Sequence, residues 1–156
     1  MLSKRIIPCL LIKDGGLVKT TNFKQPKYVG DPINAVKIFS EKEADEIIIL
    51  DIDATKNKVI NFNLLSNIFS ESFVPITYGG GIDSIENAKK IINLGVEKIC
   101  LQSTFFKNKF LIKEMVNYFG GQSIVISIDV KKNIFGNYKI WNYLTNEFDK
   151  KRNIED

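Results

Sequence analysis

Short runs of Ile, Val and Leu recur along the chain and are separated by longer segments of mixed polarity. Such nearly continuous apolar runs are typical of buried parallel strands, because both faces of those strands are covered. The pattern predicts five strands, over residues 5–12, 46–52, 73–78, 97–101 and 123–130.

The segments between these strands carry apolar residues at helical spacing. Asp31 and Pro32 suit the cap and first position of a helix, and Ser84 and Gly95 suit the start and stop of another. Four helices are predicted, with apolar faces at 35–39, 64–69, 85–92 and 111–119. The alternation of strands and helices predicts an α/β fold with an all-parallel sheet. The sheet is either an open, doubly wound one or the first five strands of a (β/α)8 barrel.

The end of the chain has a different pattern. The stretch KKNIFGNYKIWNY predicts a β-hairpin around Gly136 and Asn137. Residues 145–156, TNEFDKKRNIED, have almost no apolar periodicity and are expected to form a polar loop or frayed tail. With 156 residues, 44% of them hydrophobic, we expect one domain over residues 1–144 followed by this tail.

Composition narrows the possible functions. The net charge of +4 is scattered, without a basic stripe, which argues against nucleic acid as a partner. No apolar run approaches the ~20 residues that span a membrane. Cys9 and Cys100 lie in apolar runs and are expected to be buried, reduced thiols of a cytoplasmic protein. The chain has no histidine, which excludes histidine-activated nucleophiles and histidine metal sites.

Candidate ligand-binding residues lie where the predicted strands end. Glycines at 79–81 in PITYGGGIDS allow close approach of a ligand to the backbone before a helix that begins near Ser84. Gln102 and Ser103 follow the next strand as uncharged donors. The alternative interpretation is a tight turn that needs glycine for steric reasons.

Acidic residues end two of the apolar runs. Asp51 and Asp129 each follow four or more apolar residues, where burial can tune a carboxylate. An aspartate that binds its own loop is the usual alternative for one such residue, but two at equivalent places favour a site. The first run carries Leu11 instead. Lys19, beyond the DGG turn, is expected to reach an anion from a mobile loop, or else to be an ordinary exposed lysine.

Charged residues also stand where three of the apolar runs begin. Arg5, Glu46 and Lys98 would form a ring of alternating charge at the bottom of a closed barrel. Charges at strand starts are usually only solvated, but here their signs allow pairing, and such a ring would plug or gate an axial opening.

Several motifs occur together in order: RIIPCL, DGG.VK, GDP, ADE.I.LDI.AT, P.TYGGGI, LGVEKI and SID.KK. From residue 1 to about 142 the chain resembles the HisF family, the cyclase subunits of imidazole glycerol phosphate synthase. The resemblance implies a partial (β/α)8 barrel, a glutaminase partner that supplies ammonia, a phosphorylated small-molecule substrate and no cofactor or metal. It implies a lyase of histidine biosynthesis in the cytoplasm.

The resemblance also assigns roles to residues. It implies that Asp129 is catalytic and that the substrate contacts are Lys19, Asp51, Gly80, Gly81, Gln102 and Ser103. It matches Arg5, Glu46 and Lys98 to three of the four residues that gate the family's ammonia entrance.

Three departures qualify these roles. The first catalytic aspartate of the family falls on Leu11, which cannot exchange a proton. Its phosphate-binding asparagine falls on Gln102, and the second half of the barrel is not present in this sequence. The chain looks closer to a HisF-like branch associated with surface-glycan amidation, in which the barrel passes ammonia to a sugar amidotransferase. A histidine-pathway cyclase, a non-catalytic half-barrel and a small flavodoxin-like binding domain are the alternatives.

Overall fold

A computed structural model describes residues 4–21, 24–150 and 152 of the chain. The strands of its main sheet are β1 (Cys9–Lys13), β2 (Gly16–Thr21), β3 (Lys24–Gly30), β4 (Ile47–Asp51), β5 (Ile76–Gly79), β6 (Lys98–Leu101) and β7 (Ile124–Ile126). Their order across the sheet is β3-β2-β1-β4-β5-β6-β7. The five predicted strands are all present, each shorter than its apolar run, and they pair in parallel with one another.

The prediction of an all-parallel sheet was wrong at one edge. Strands β2 and β3 form an antiparallel hairpin that pairs with β1, with Leu11 opposite Val18. Most residues of β3 are exposed, and Pro26 lies within the strand. An exposed edge strand needs no apolar run, and it tolerates proline. The apolar runs that predicted the buried strands therefore do not predict β3.

Six helices among the described residues connect and cover the parallel strands. They are α1 (Pro32–Glu41), α2 (Ala54–Asn57), α3 (Phe62–Ser70), α4 (Ile85–Asn93), α5 (Ser103–Lys107) and α6 (Lys109–Phe119), followed by a 3-10 turn at Gly121–Ser123. The two short helices, α2 and α5, were not predicted. The predicted helix caps are present: Asp31 accepts from the N–H of Ile33 at 2.6 Å, and Ser84 accepts from the N–H of Asn87 at 3.2 Å.

The longer helices lie on one face of the parallel strands. Side chains of α1, α3, α4 and α6 share a single core with every second strand residue, including Ile12, Ile49 and Ile99. The intervening residues face the other side, where Cys9 is exposed and Leu11 is half-buried. A doubly wound or flavodoxin-like fold has helices on both faces. The described residues therefore form an open part of a barrel, as predicted.

Cys9 and Cys100 both belong to this inner face. The prediction that both thiols are buried was wrong for Cys9, which is exposed, while Cys100 is half-buried. The reason is the open face: the apolar run around Cys9 has a cover of helices on one side only.

A second, three-stranded sheet follows β7. It consists of β8 (Asp129–Lys132), β9 (Tyr138–Asn142) and β10 (Glu147–Phe148). The β8–β9 hairpin was predicted, and its Gly136 has φ +81°. Two expectations need correction. Asp129 begins β8 rather than ending the fifth parallel strand, and the tail expected over 145–156 contains β10, which pairs with β9.

Candidate functional site

Three charged side chains meet at the amino ends of the parallel strands. Glu46 is 5% exposed, and its Oε2 lies 2.9 Å from Arg5 Nη2 and 2.8 Å from Lys98 Nζ. Thr77, which sequence reasoning missed, donates a short hydrogen bond from Oγ1 to Glu46 Oε1. The predicted proximity of Arg5, Glu46 and Lys98 is thus present, as one hydrogen-bonded cluster.

The cluster keeps its charges. Burial raises the pKa of the Glu46 carboxyl, but hydrogen bonds from Lys98 and Thr77 and the positive charge of Lys98 outweigh it, so the net pKa is lowered. The hydrogen bond to Glu46 raises the pKa of Lys98 against the opposing effect of its burial. Glu46 is therefore an anion and Lys98 a cation at neutral pH.

A cavity of about 570 Å³ lies at the opposite, carboxyl ends of the strands. Its volume is in the range of small-molecule sites. Six of the predicted site residues line it: Asp51, Gly80, Gly81, Gln102, Ser103 and Asp129. Among its other lining residues are Leu11, Thr20, Thr55, Lys56, Cys100, Ser127 and Tyr143. The strand ends thus converge on one polar-rimmed cavity.

Lys19 does not line this cavity. The mobile loop expected around it is strand β2, where Lys19 is exposed and pairs with Lys27. Its neighbour Thr20 lines the cavity instead. Successive strand residues point to opposite faces, so the backbone that brings Thr20 to the cavity turns Lys19 away.

Asp51 combines both of the readings made from sequence. Its Oδ1 accepts hydrogen bonds from the N–H groups of Asp53 at 3.1 Å and Ala54 at 3.0 Å, so it does bind its own loop. It also lines the cavity. Burial raises the pKa of the Asp51 carboxyl, and this outweighs the two backbone hydrogen bonds.

The glycine turn after β5 is sterically required. Gly80 has φ +138°, and a Cβ there would lie 2.5 Å from the carbonyl oxygen of Asp51. Gly81 has φ +67°, and its N–H donates to Thr55 Oγ1 at 3.2 Å. The glycines are therefore needed for the close packing of this turn, as in the steric interpretation, and the Gly81 N–H already has a hydrogen-bond partner in the protein.

A side cavity of about 200 Å³ adjoins the main one. The two share the walls formed by Thr55, Gly81 and Ser103. The side cavity is also lined by Lys107 and Asp83, which sequence reasoning missed. Lys107 brings a positive charge, and Ser103 lies at the junction of the two spaces.

Tyr143 is a further cavity residue that sequence reasoning missed. It is half-buried, and burial raises the pKa of its phenol. A side-chain hydrogen bond with Ser103 opposes this shift, and the charge of Asp129 adds to it. The sequence signal was weak, since Tyr143 follows a predicted hairpin strand and not one of the parallel strands.

The cavity offers carboxylates, amide and hydroxyl groups and two nearby lysines. Among residues 4–21, 24–150 and 152, no cluster of three or more Cys, Asp or Glu side chains is arranged to hold a metal ion. In the same part of the chain, no helix has the length and apolarity needed to cross a membrane. The carboxylate, amide and hydroxyl groups of the cavity suit a polar small molecule bound by side chains.

Helices on one face of parallel strands, with a polar cavity at the carboxyl ends, define an α/β protein of the TIM-barrel class. Residues 5–155 match the family model described as "Histidine biosynthesis protein". The chain belongs to this family, and within it to the HisF proteins.

Curated relatives support the same assignment. A Pseudomonas aeruginosa protein, provisionally named imidazole glycerol phosphate synthase subunit hisF2, is 51% identical over 142 residues, covering 90% of this chain and 57% of the relative. A Leptospira interrogans protein, provisionally named subunit HisF, is 47% identical over 135 residues, 86% of this chain and 53% of its own. The imidazole glycerol phosphate synthase subunit HisF of Methanococcus vannielii is 43% identical over 134 residues, 85% of this chain and 49% of its own. The chain spans about half the length of these relatives.

Proposed function

We propose that the chain acts as a HisF-type synthase subunit that receives ammonia at the amino ends of its parallel strands. The observation that carries the proposal is the Arg5–Glu46–Lys98 cluster, which lies at the end of the sheet opposite the cavity. In this proposal a cytoplasmic glutaminase subunit docks at the charged end. A phosphorylated small molecule or an acceptor protein then takes the ammonia at the cavity.

Leu11 favours glycan amidation over histidine synthesis. It lines the cavity at the position where the resembling cyclases carry a catalytic acid, and an isobutyl group neither gives nor takes a proton. Asp129 remains on the same cavity and is the proposed catalytic or ammonia-orienting carboxylate. Passing ammonia to a separate sugar amidotransferase needs no pair of catalytic acids at this site, whereas cyclising a substrate does. The site with Leu11 in place of one acid therefore suits the first role better.

Turnover assays separate these two roles. The purified chain is supplied with ammonium and the phosphorylated ribulosyl substrate of the histidine enzymes, beside a Leu11→Asp variant. We expect wild-type turnover at least a hundredfold below that of an authentic cyclase, since general acid-base catalysis contributes roughly 10²–10⁴ in rate. Cyclase-like turnover by the wild type would refute the glycan role and support a histidine-pathway lyase.

The ammonia route needs its own test. With a HisH-type glutaminase added, Glu46→Gln should lower glutamine-dependent product formation more than product formation from free ammonium. An exposed control, Glu114→Gln on α6, should change neither. Equal loss from both ammonia sources would show that Glu46 only supports the fold.

A second candidate is a non-catalytic half-barrel that binds a complementary half. It is favoured by the open inner face of the sheet, where Cys9 is exposed beside the half-buried Leu11 and Ile48. Sedimentation and calorimetry discriminate, because an unclosed sheet should self-associate or bind a partner. A monodisperse monomer with one cooperative melting transition would argue against this candidate.

A further inference from the structure

The turn between β9 and β10 brings Tyr143 to the cavity. Asn142 ends β9, and its Oδ1 accepts a hydrogen bond from the Leu144 N–H at 3.0 Å. Trp141 and Phe148 pair across the two strands, with ring centroids 5.2 Å apart in an edge-to-face arrangement. These contacts hold both ends of the turn, so Tyr143 lines the cavity from a defined backbone position.

Arg152 ties the three-stranded sheet to the helix that begins at Ser103. Its Nη1 lies 2.6 Å from Oδ2 of Asp149, and the Asp149 side chain is only 8% exposed. Its guanidinium lies over the Phe105 ring, 4.5 Å from the centroid, with a long hydrogen bond from Nη2 to the Phe105 carbonyl oxygen. Since Phe105 belongs to α5, this contact links the segment that follows β10 to the helix that begins at Ser103.

Two groups at this junction can bind an anion. Ser103 lines both cavities, and Lys107 adds a positive charge to the side cavity, where Asp83 also lies and accepts a hydrogen bond from the Asn87 side chain. Because the pKa of the Tyr143 phenol is raised, its proton stays in place through the neutral range, and the phenol can act as a donor. The negative charge of Asp129, which lines the same cavity, also raises this pKa because it repels a charged tyrosinate.

We propose that Tyr143 is a ligand-positioning residue that donates a hydrogen bond to a phosphoryl oxygen of a phosphorylated sugar held at Ser103. This inference rests on the proposed function, since it needs a phosphorylated ligand, and adds a residue from outside the parallel strands. The phenol holds the ligand without exchanging a proton. It therefore fits a cavity in which Leu11 has replaced an acid.

Calorimetric titration with a pentose phosphate tests the assignment. Tyr143→Phe removes only the hydroxyl, and loss of one hydrogen bond to a charged group should weaken binding roughly tenfold to a hundredfold. Ser103→Ala should also weaken binding. The double variant should lose less than the product of the two single losses, because the two hydroxyls act on one group. Tyr138→Phe is the matched control, since Tyr138 lies on β9 and is 62% exposed; its affinity should stay within twofold.

The outcomes distinguish failure of the Tyr143 assignment from failure of the proposed function. Binding to the wild type with unchanged affinity in Tyr143→Phe overturns the Tyr143 assignment and leaves the proposed function standing. Losses that multiply fully in the double variant also overturn the joint contact. No saturable binding of the pentose phosphate to the wild type removes the proposed ligand class and this inference together. If Tyr143→Phe has a lower Tm than the wild type, its loss of affinity no longer tests the contact by itself. The test is then the change in the tyrosine ultraviolet spectrum of the wild type when the ligand binds, and the absence of a change counts against the contact.

Discussion

Replacing Lys98 with methionine removes one of the two cations that hold the Glu46 carboxylate. Glu46 is 5% exposed, and Lys98 Nζ lies 2.8 Å from its Oε2. Removing one partner of a buried ion pair costs about 3–5 kcal/mol. The Lys98 side chain is 20% exposed and the 50% exposed Arg5 remains as a partner, so the loss is smaller here. We expect a decrease of about 2–3 kcal/mol in the free energy of unfolding.

Urea and thermal unfolding followed by circular dichroism measure this loss. For a chain of this size, each kcal/mol shifts Tm by about 2–4 °C, so Lys98→Met should lower Tm by roughly 4–12 °C. The matched control is Lys113→Met, an exposed lysine of α6 that forms no ion pair within the described residues. It should change stability by less than about 0.5 kcal/mol. A Lys98→Met protein as stable as this control would refute the reasoning, because it would show that Arg5 and water alone satisfy Glu46.

Three further results are expected. The folded-state pKa of Glu46 is lowered below its ordinary value of about 4.3. The ionised carboxylate therefore stabilises the fold fully above that pH, and this stabilisation is lost as the pH falls through the folded-state pKa. In a plot of unfolding free energy against pH, Glu46→Gln should make this acid-side decrease smaller. Gly80→Ala should cost more than about 1 kcal/mol in urea unfolding, whereas Gly121→Ala, whose Cβ would meet no atom within 4 Å, should be tolerated. Maleimide should label the exposed Cys9 before Cys100, whose pKa burial raises to about 11; equal slow labelling of both would indicate that the inner face is covered in solution.

The sequence predicted the buried part of the fold because burial leaves a pattern. Strands such as β4, with Ile47 and Ile49 fully buried, need continuous apolar runs, and the helices need caps such as Asp31. The β2–β3 hairpin left no such pattern. Its strands are held by backbone pairing at an exposed edge, where side chains such as Lys27 are free to be polar.

The sequence also predicted only some residues of the candidate site. Residues at strand ends, such as Asp51 and Gln102, could be placed together because the ends of parallel strands meet at one edge. Tyr143 and Lys107 could not, since each reaches its cavity through a turn or a short helix whose direction depends on tertiary contacts. Lys19 was expected in a loop but lies in strand β2, where the alternation of side chains places Thr20 and not Lys19 at the cavity.

One row of residues on the inner face lies between the two ends of the sheet. Strand pairing places Leu11, Leu50, Gly79, Cys100 and Val125 side by side across five strands. Four of these residues are apolar or lack a side chain, and the Cys100 thiol stays neutral because burial raises its pKa to about 11. Moving an ion across such a row costs far more than moving a neutral molecule of the same size. If ammonia passes along this face, as we propose, an ammonium ion at Glu46 must give up its proton before its nitrogen crosses the row towards Asp129.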